Sequence, residues 1–169
     1  MIILAPYSSM RLLTLEALRK FAPQAKLAST RSDVYAYWRV LKENWGIDDL
    51  VLIEHDIEIT AEVIPAFTAC DKLWCTYGYR PRLQGGGLPS NDIWDRSLGC
   101  TKLSLELQRL ISLGDEPVSW DNLDHTLYNQ IVLHTGSHVH GVVLHHHEPA
   151  DGTWILGVPL PIVVENPVL

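Results

Sequence analysis

Short apolar runs and amphipathic segments alternate along the first third of the chain. Apolar runs at 2–5 and 50–53 are typical of strands buried in a parallel sheet, and we interpret the segment 26–30 as a further strand between them. Between them, apolar residues recur at helical spacing over 12–21 and 34–45. This βαβαβ succession with short connections favours a right-handed sheet covered by helices.

The remaining pattern predicts further helices and strands within one α/β domain. In order, these are a helix over 60–68, a strand over 72–77, a short strand or turn over 98–101, a helix over 103–110, a helix from 119 or 121 to 136, and a strand over 139–144. We expect this domain to cover residues 1–148. Residues 149–169 have several prolines and no periodicity, and we expect an extended tail packed on the domain.

A long segment from Arg80 to Ser97 interrupts the pattern. Prolines, Ser90, Asn91 and the three glycines around Gly86 disfavour regular structure there. Loops of this length in compact domains are usually functional or disordered. We interpret the segment as a lid that closes over a substrate, with the glycines as its hinge. A simple insertion is the alternative.

Composition restricts the class of partner. The chain has 169 residues, 47% of them hydrophobic, and a formal net charge of -7. That charge argues against a general binder of nucleic acid or anionic membranes. It does not argue against an anionic ligand held through a metal ion, because the cation reverses the local charge. No apolar run is long enough to span a membrane.

Cysteine usage predicts reduced thiols. The three cysteines are an odd number and form no CxxC pair, and the first residues lack a secretory leader. We therefore expect a cytoplasmic protein, and no zinc site on cysteines at this spacing.

Three carboxylates follow the third predicted strand. In an extended segment, Glu54, Asp56 and Glu58 would share one face and His55 would point the other way. Ligands of open α/β sheets bind just past such strand ends. Crowded carboxylates are tolerated when a cation lies between them, which predicts Mn²⁺ or Mg²⁺. The alternative is that these residues cap a helix or face water.

Histidines and acidic residues near the C-terminus extend this candidate site. Residues 138–147 contain five of the eight histidines, and in an extended strand His145 and His147 would share a face. Imidazole is a common metal ligand, so either could complete the site begun by Asp56 with Glu58 or Glu54. Asp121 and Asp124 fall at the start of the predicted helix, where complementing the helix dipole is their alternative role.

The acidic stretch, the acidic helix start and the late histidines follow one another in the order found in GT-A glycosyltransferases. The chain resembles these enzymes over about residues 1–148. The acidic stretch 54–58 resembles their DxD-type motif, with Glu in place of one Asp. Segment 120–124 matches the acidic residue at the start of a late helix, and segment 143–147 the C-terminal histidine. The resemblance implies a Rossmann-like GT-A type of mixed, mostly parallel sheet with helices on both faces, in a small, minimal member.

That resemblance implies transfer of a sugar from a nucleotide-diphosphate donor to an acceptor, with Mn²⁺ or Mg²⁺ as cofactor. An inverting enzyme also needs a base, for which Asp121 is the first choice and Asp124 the second. The implied nucleotide-binding residues are Ala5, Pro6, Tyr7, Arg31, Asp33 and His55. The implied substrate and lid residues are Tyr77, Tyr79, Trp94 and Gly86. Trp74 could stack too, but we expect it in the core.

Two other functions use the same residues. A metal-dependent hydrolase would need an activated metal-bound water, although no HExxH motif is present. A non-catalytic nucleotide- or carbohydrate-binding domain would keep the fold without turnover.

Overall fold

A mixed sheet lies at the centre of the computed structural model, which describes residues 1–81, 98–134 and 139–145. The described strands are β1 Ile2–Tyr7, β2 Lys26–Ser29, β3 Leu50–Ile53, β4 Ile57–Glu58, β5 Trp74–Pro81, β6 Cys100–Leu103 and β7 Val139–His145. The described helices are α1 Leu12–Phe21, α2 Ala36–Asn44, α3 Val63–Ala69, α4 Leu105–Leu110 and α5 Trp120–His134. None of these helices is long and apolar enough to cross a membrane.

Strand order in the sheet is β2-β1-β3-β6-β5-β7-β4. β1 pairs in parallel with β2 and β3, and β5 with β7. β6 is antiparallel to both β3 and β5, and β4 is antiparallel to β7. Five of the seven described strands therefore run in one direction and end at the same edge, called here the carboxyl edge. This confirms the predicted mixed, mostly parallel α/β fold.

Two apolar cores flank the sheet. Val51 and Ile53 of β3 face one core, together with residues of α1 and α3. Leu50 and Leu52 face the other, together with residues of α2, α4 and α5. All four β3 residues have essentially no exposed surface. Alternate residues of a buried strand thus pack against both layers, and helices cover both faces, as predicted.

Strand β6 differs from its prediction as a short strand or turn at 98–101. It runs from Cys100 to Leu103, so Leu103 belongs to the strand and not to the following helix. The apolar pattern did not indicate the full strand because two of its buried residues, Thr101 and Lys102, are polar. Thr101 donates a hydrogen bond to Thr76 Oγ1 at 2.9 Å, and Lys102 Nζ lies 3.1 Å from Asp49 Oδ2. Partners from neighbouring elements thus satisfy polar groups that local sequence cannot pair.

Helix boundaries follow turn and capping chemistry. Ser104 caps α4, its hydroxyl accepting from Leu107 N at 3.1 Å. Gly46, directly after the C-cap of α2, has a φ of 73° and ends that helix as predicted. Pro65 is the third residue of α3, where its missing N–H costs no helical hydrogen bond.

Candidate functional site

Five strands deliver their C-terminal ends to the carboxyl edge. These ends are Tyr7, Ser29, Ile53, Pro81 and His145. The edge therefore collects the predicted nucleotide-binding loops, the acidic stretch and the histidine strand. This is the position at which open α/β sheets bind ligands.

The first two predicted nucleotide-binding loops are joined to each other. Thr30 N donates to Tyr7 O at 2.8 Å, and Arg31 Nε donates to Ser8 O. Arg31 is exposed and Tyr7 is half-buried, so both remain accessible at the edge. Ala5 and Pro6 are buried. Their side chains are therefore not available to a ligand, and a nucleotide-binding role for these two residues stays a prediction.

Asp33 lies at the start of α2. Its Oδ2 is 2.5 Å from Arg39 Nη2, and its Oδ1 accepts from Tyr35 N at 2.9 Å. The hydrogen bond from Arg39, followed by that from Tyr35, holds the pKa of the Asp33 carboxyl below its ordinary value. The carboxylate therefore stabilises the loop before α2 through its bonds to Arg39 and Tyr35.

The acidic stretch forms a turn instead of continuing β3. Ile57 N donates to Glu54 O at 3.1 Å, which closes the turn, and Glu54 N donates to Gly99 O at 2.7 Å. The expectation that Glu54, Asp56 and Glu58 share one face of an extended segment is therefore wrong. A reversal of direction replaces the alternation of side chains.

Each carboxylate of this turn has its own surroundings. Glu54 Oε1 accepts from Tyr37 Oη at 3.2 Å and so is held toward α2. The Asp56 side chain is only 14% exposed, and its Oδ2 lies 3.9 Å from His55 Nε2. Glu58 is half-buried, and Ile57 between the two acids is fully buried in the core. The core anchors the turn at Ile57 and presents the acids on either side.

The histidine strand lies directly against this turn. In the antiparallel pair of β4 and β7, Ile57 is opposite His145 and Glu58 is opposite Leu144. The backbone of residue 145 is therefore adjacent to the Asp56–Glu58 segment. The side chain of His145 and all of His147 lie outside the described structure, so which of them faces the carboxylates stays a prediction.

Asp121 and Asp124 occupy the first turns of α5, as predicted. Farther along this helix, the Tyr128 ring packs edge-on against Trp74, the first residue of β5, with ring centroids 6.3 Å apart. Trp74 lies at the edge opposite the carboxyl edge. The side chains of both acids lie outside the description.

Most of the predicted substrate and lid residues remain untested. Gly86 and Trp94 lie outside the described residues. Of Tyr79 only the backbone is described, opposite Val143. Tyr77 is 7% exposed, and its ring packs edge-on against Phe67 at 5.5 Å. It lies in the core and cannot stack on a substrate, which corrects its prediction. Trp74 is a core residue, as expected.

Sequence reasoning missed Arg11 at this edge. Arg11 precedes α1, is 3% exposed, and its backbone N–H donates to His55 O at 3.0 Å. This backbone hydrogen bond joins the residue before α1 to the acidic turn. The available signal was a basic residue where a helix begins after the first strand loop.

Sequence reasoning also missed a cluster at the opposite edge, called here the thiol–imidazole cluster. One ligand atom each of Cys70, Cys75 and His140 lies within 4.8 Å of the others. Burial, followed by the neighbouring Cys70 thiol, raises the pKa of the Cys75 thiol. The expectation of no zinc site on these cysteines rested on their spacing along the chain. Spacing does not report the third member of this cluster, which comes from a distant strand.

Comparison with known proteins gives weak structural likeness and no family. No family model and no curated protein matches the chain. Among solved structures, A197 from STIV matches with 19% sequence identity and a TM-score of 0.45. The match covers 66% of this chain and 68% of that one. Similarity at this level carries no argument about function, so the functional argument depends on the site.

Proposed function

We propose that the chain is a metal-dependent glycosyltransferase that moves a sugar from a nucleotide-diphosphate donor to an acceptor. One observation carries the proposal. The pairing of Ile57 with His145 joins the acidic turn to the histidine strand at the ligand-binding edge of the sheet. Without that pairing, the carboxylates and the late histidines would be unrelated motifs.

The proposed metal site uses Asp56 and Glu58, completed by His145 or His147. Glu54 is the weaker candidate, because its carboxylate already accepts the Tyr37 hydroxyl hydrogen bond. Carboxylate oxygens with one imidazole suit Mn²⁺, and carboxylates alone suit Mg²⁺. A dication there would neutralise the negative charge that develops on the leaving diphosphate.

The proposed nucleotide site lies at the ends of β1 and β2. Tyr7 offers a ring for stacking, and Arg31 offers an exposed guanidinium for a phosphate. The hydrogen bond from Arg31 to Ser8 already holds these two loops together. The backbone N–H of buried Arg11 donates to His55 O and so helps to hold the acidic turn in place.

Proton transfer is assigned to the start of α5. In an inverting mechanism, Asp121 or, failing it, Asp124 takes the proton from the acceptor hydroxyl. What supports this assignment is the place of both acids in the first turns of α5, which is the place that the resemblance implies for such a base. A cytoplasmic location and a lid over 80–97 remain part of the proposal.

Calorimetry with UDP or GDP, with and without Mn²⁺, tests the proposal. We expect metal-dependent binding to the wild-type chain and none detectable to Asp56→Ala or Asp56→Asn. The Asn variant keeps the side-chain volume at this poorly exposed position. Asp115→Ala is the matched control, since Asp115 is fully exposed and its described ion pair is with Lys42. It should bind as the wild type does.

Unchanged nucleotide binding by Asp56→Asn would remove Asp56 from the metal site and the proposal with it. Nucleotide sugars then decide between the alternatives. Release of nucleotide diphosphate with a glycosylated product supports transfer. Tight binding without turnover would instead show a binding domain, and phosphoester cleavage without sugar transfer would show a hydrolase.

A further inference from the structure

The thiol–imidazole cluster lies at the edge of the sheet opposite the candidate nucleotide site. Cys70 directly follows α3, Cys75 is the second residue of β5, and His140 is the second residue of β7. His140 and His145 belong to the same strand. Their separation of five residues corresponds to about 16 Å, so the cluster is distinct from the proposed nucleotide site.

A bulge in β7 gives His140 its direction. Thr76 pairs with Val139 and Gly78 with Val142, so β7 contains one more residue than β5 over this interval. His140 and Val143 consequently reach the same core although they are three residues apart. The imidazole packs against the rings of both Phe67 and Tyr77, at centroid distances of 5.9 and 5.7 Å. Bulges of this kind re-aim a side chain beside functional sites.

The donor atoms are those that zinc prefers. Two cysteine sulfurs and one histidine nitrogen suit Zn²⁺ far better than Mg²⁺ or Mn²⁺. Tetrahedral zinc holds such atoms about 3.5–3.8 Å apart, given its bond lengths to sulfur and nitrogen. The cluster atoms lie within 4.8 Å of one another, so small side-chain adjustments suffice to close on the ion.

A buried cation stands beside the sulfurs. Lys102 is opposite Cys75 in the pairing of β5 with β6, and its ammonium donates to Cys70 O at 2.9 Å. Asp49 holds the same ammonium at 3.1 Å. A positive charge near a thiol favours the thiolate, which is the form that binds metal. The hydrogen bond also fixes the backbone at Cys70.

Three protein ligands leave one position of a tetrahedral ion open. A cleft of about 330 Å³ adjoins the cluster and is lined by Ala66, Ala69, Cys70, Asp71, Lys72 and His140. We propose that Cys70, Cys75 and His140 bind Zn²⁺, with water or the Asp71 carboxylate in the fourth position facing this cleft. The Asp71 side chain is exposed and free to turn inward, apart from its ion pair with Lys72 at 3.3 Å.

Metal analysis of the full chain tests this proposal. Reduced protein, purified without chelators and dialysed against Zn²⁺, should contain one zinc per chain by mass spectrometry of the metal. Co²⁺ in place of zinc should give a thiolate-to-cobalt charge-transfer absorption, which reports sulfur ligands without any variant. Competition with a chromophoric chelator then gives the affinity.

Single substitutions identify the ligands. Cys70→Ser and His140→Ala should each lower the zinc affinity by more than about 100-fold, since even outer-shell changes cost roughly 10–100-fold. Cys70 is the better cysteine to change because Cys75 is fully buried. Asp71→Asn separates the two candidates for the fourth position: a lower affinity assigns the carboxylate, and an unchanged one assigns water.

Two variants serve as matched controls, with circular dichroism confirming that each is folded. Cys100→Ala removes a buried thiol outside the cluster, and His125→Ala removes an exposed imidazole on α5. Both should bind zinc as the wild type does. No zinc in the reduced wild type, or equal affinity in the wild type and His140→Ala, would overturn the proposal. So would a cobalt spectrum without the thiolate band.

Discussion

Gln108 shows how one buried side chain can hold several elements together. Its Nε2 donates to Asp48 O at 2.8 Å and to Leu103 O at 3.0 Å, and its Oε1 accepts from Gly46 N at 2.8 Å. The residue is 3% exposed, so water does not compete for these groups. It therefore links α4 to the end of β6 and to the segment between α2 and β3.

We expect Gln108→Leu to lower the free energy of unfolding by about 3 kcal/mol. The substitution keeps most of the volume but leaves three backbone groups without their partner, and each such group costs about 1–3 kcal/mol when it stays buried. Urea unfolding followed by tryptophan fluorescence measures the change.

Gln130→Leu is the control for this prediction. Gln130 also bonds to backbone groups, accepting from Ser112 N at 3.0 Å and donating to Ser112 O at 2.8 Å. These bonds lie at the surface, where water can replace them, so the loss should stay below about 1 kcal/mol. Equal losses in the two variants would show that burial does not set the importance of Gln108.

Individual residues of the candidate site were partly predictable. Asp56 and Glu58 stand out because acids after an apolar strand have a known place at a sheet edge. Arg11 and the thiol–imidazole cluster did not stand out. Their neighbours come from other elements, and the local sequence does not indicate which distant residues are in contact in the folded chain. Tyr77 was misplaced for a related reason, since an aromatic residue in a strand fits a core or a binding surface equally well.

At the scale of elements, the turn after α2 depends on backbone conformation alone. Gly46 has a φ of 73°, and a Cβ built there would meet nothing within 4 Å. We expect Gly46→Ala to lower the free energy of unfolding by about 1 kcal/mol, because a side chain disfavours the left-handed region even where space is free. Thermal or urea unfolding checks this value.

Gly46→Asn provides the comparison, because asparagine tolerates the left-handed region better than alanine does. Its cost should be smaller than that of Gly46→Ala. An alanine variant as stable as the wild type would mean that the turn changes conformation, and that the glycine is not required where the helix stops.

Local periodicity predicted whether a segment is a helix or a strand more reliably than it predicted what the chain does after that segment ends. β3 ends at Ile53, as the apolar run predicted. The next residues form a turn because Glu54 bonds to Gly99 and to Ile57, contacts that periodicity does not report. β6 was underestimated because its polar residues find partners in β5 and before β3. Short β4 exists because β7 pairs with it.

At the scale of the whole molecule, the protection of backbone amides from hydrogen exchange should decrease from the central strands of the sheet to its edge strands. β3 lies between β1 and β6 with every residue buried, whereas β2 pairs with β1 alone and has exposed ends. We expect amides of Leu50–Ile53 to exchange with solvent far more slowly than those of Lys26–Ser29. Hydrogen exchange read by mass spectrometry compares these two segments of equal length directly. Equal protection would mean that the sheet opens only as one unit.

The α/β class and the layering were predictable because strand-like segments at 2–5, 26–30 and 50–53 alternate with two amphipathic segments at the start of the chain. The reversed direction of β6 was not, and neither was the antiparallel pairing of β4 with β7. Both depend on pairing between segments far apart in sequence, which short-range periodicity does not encode.

The additional residue in β7 determines to which face of the sheet the side chains on either side of the bulge point. A strand shifted by one position turns its side chains to the other face. Deleting Gly141 would therefore either turn His140 away from the cysteines or displace residue 145 from Ile57. A variant of this chain without one residue here could keep His140 beside the two cysteines, or keep the end of β7 paired beside the acidic turn, but not both.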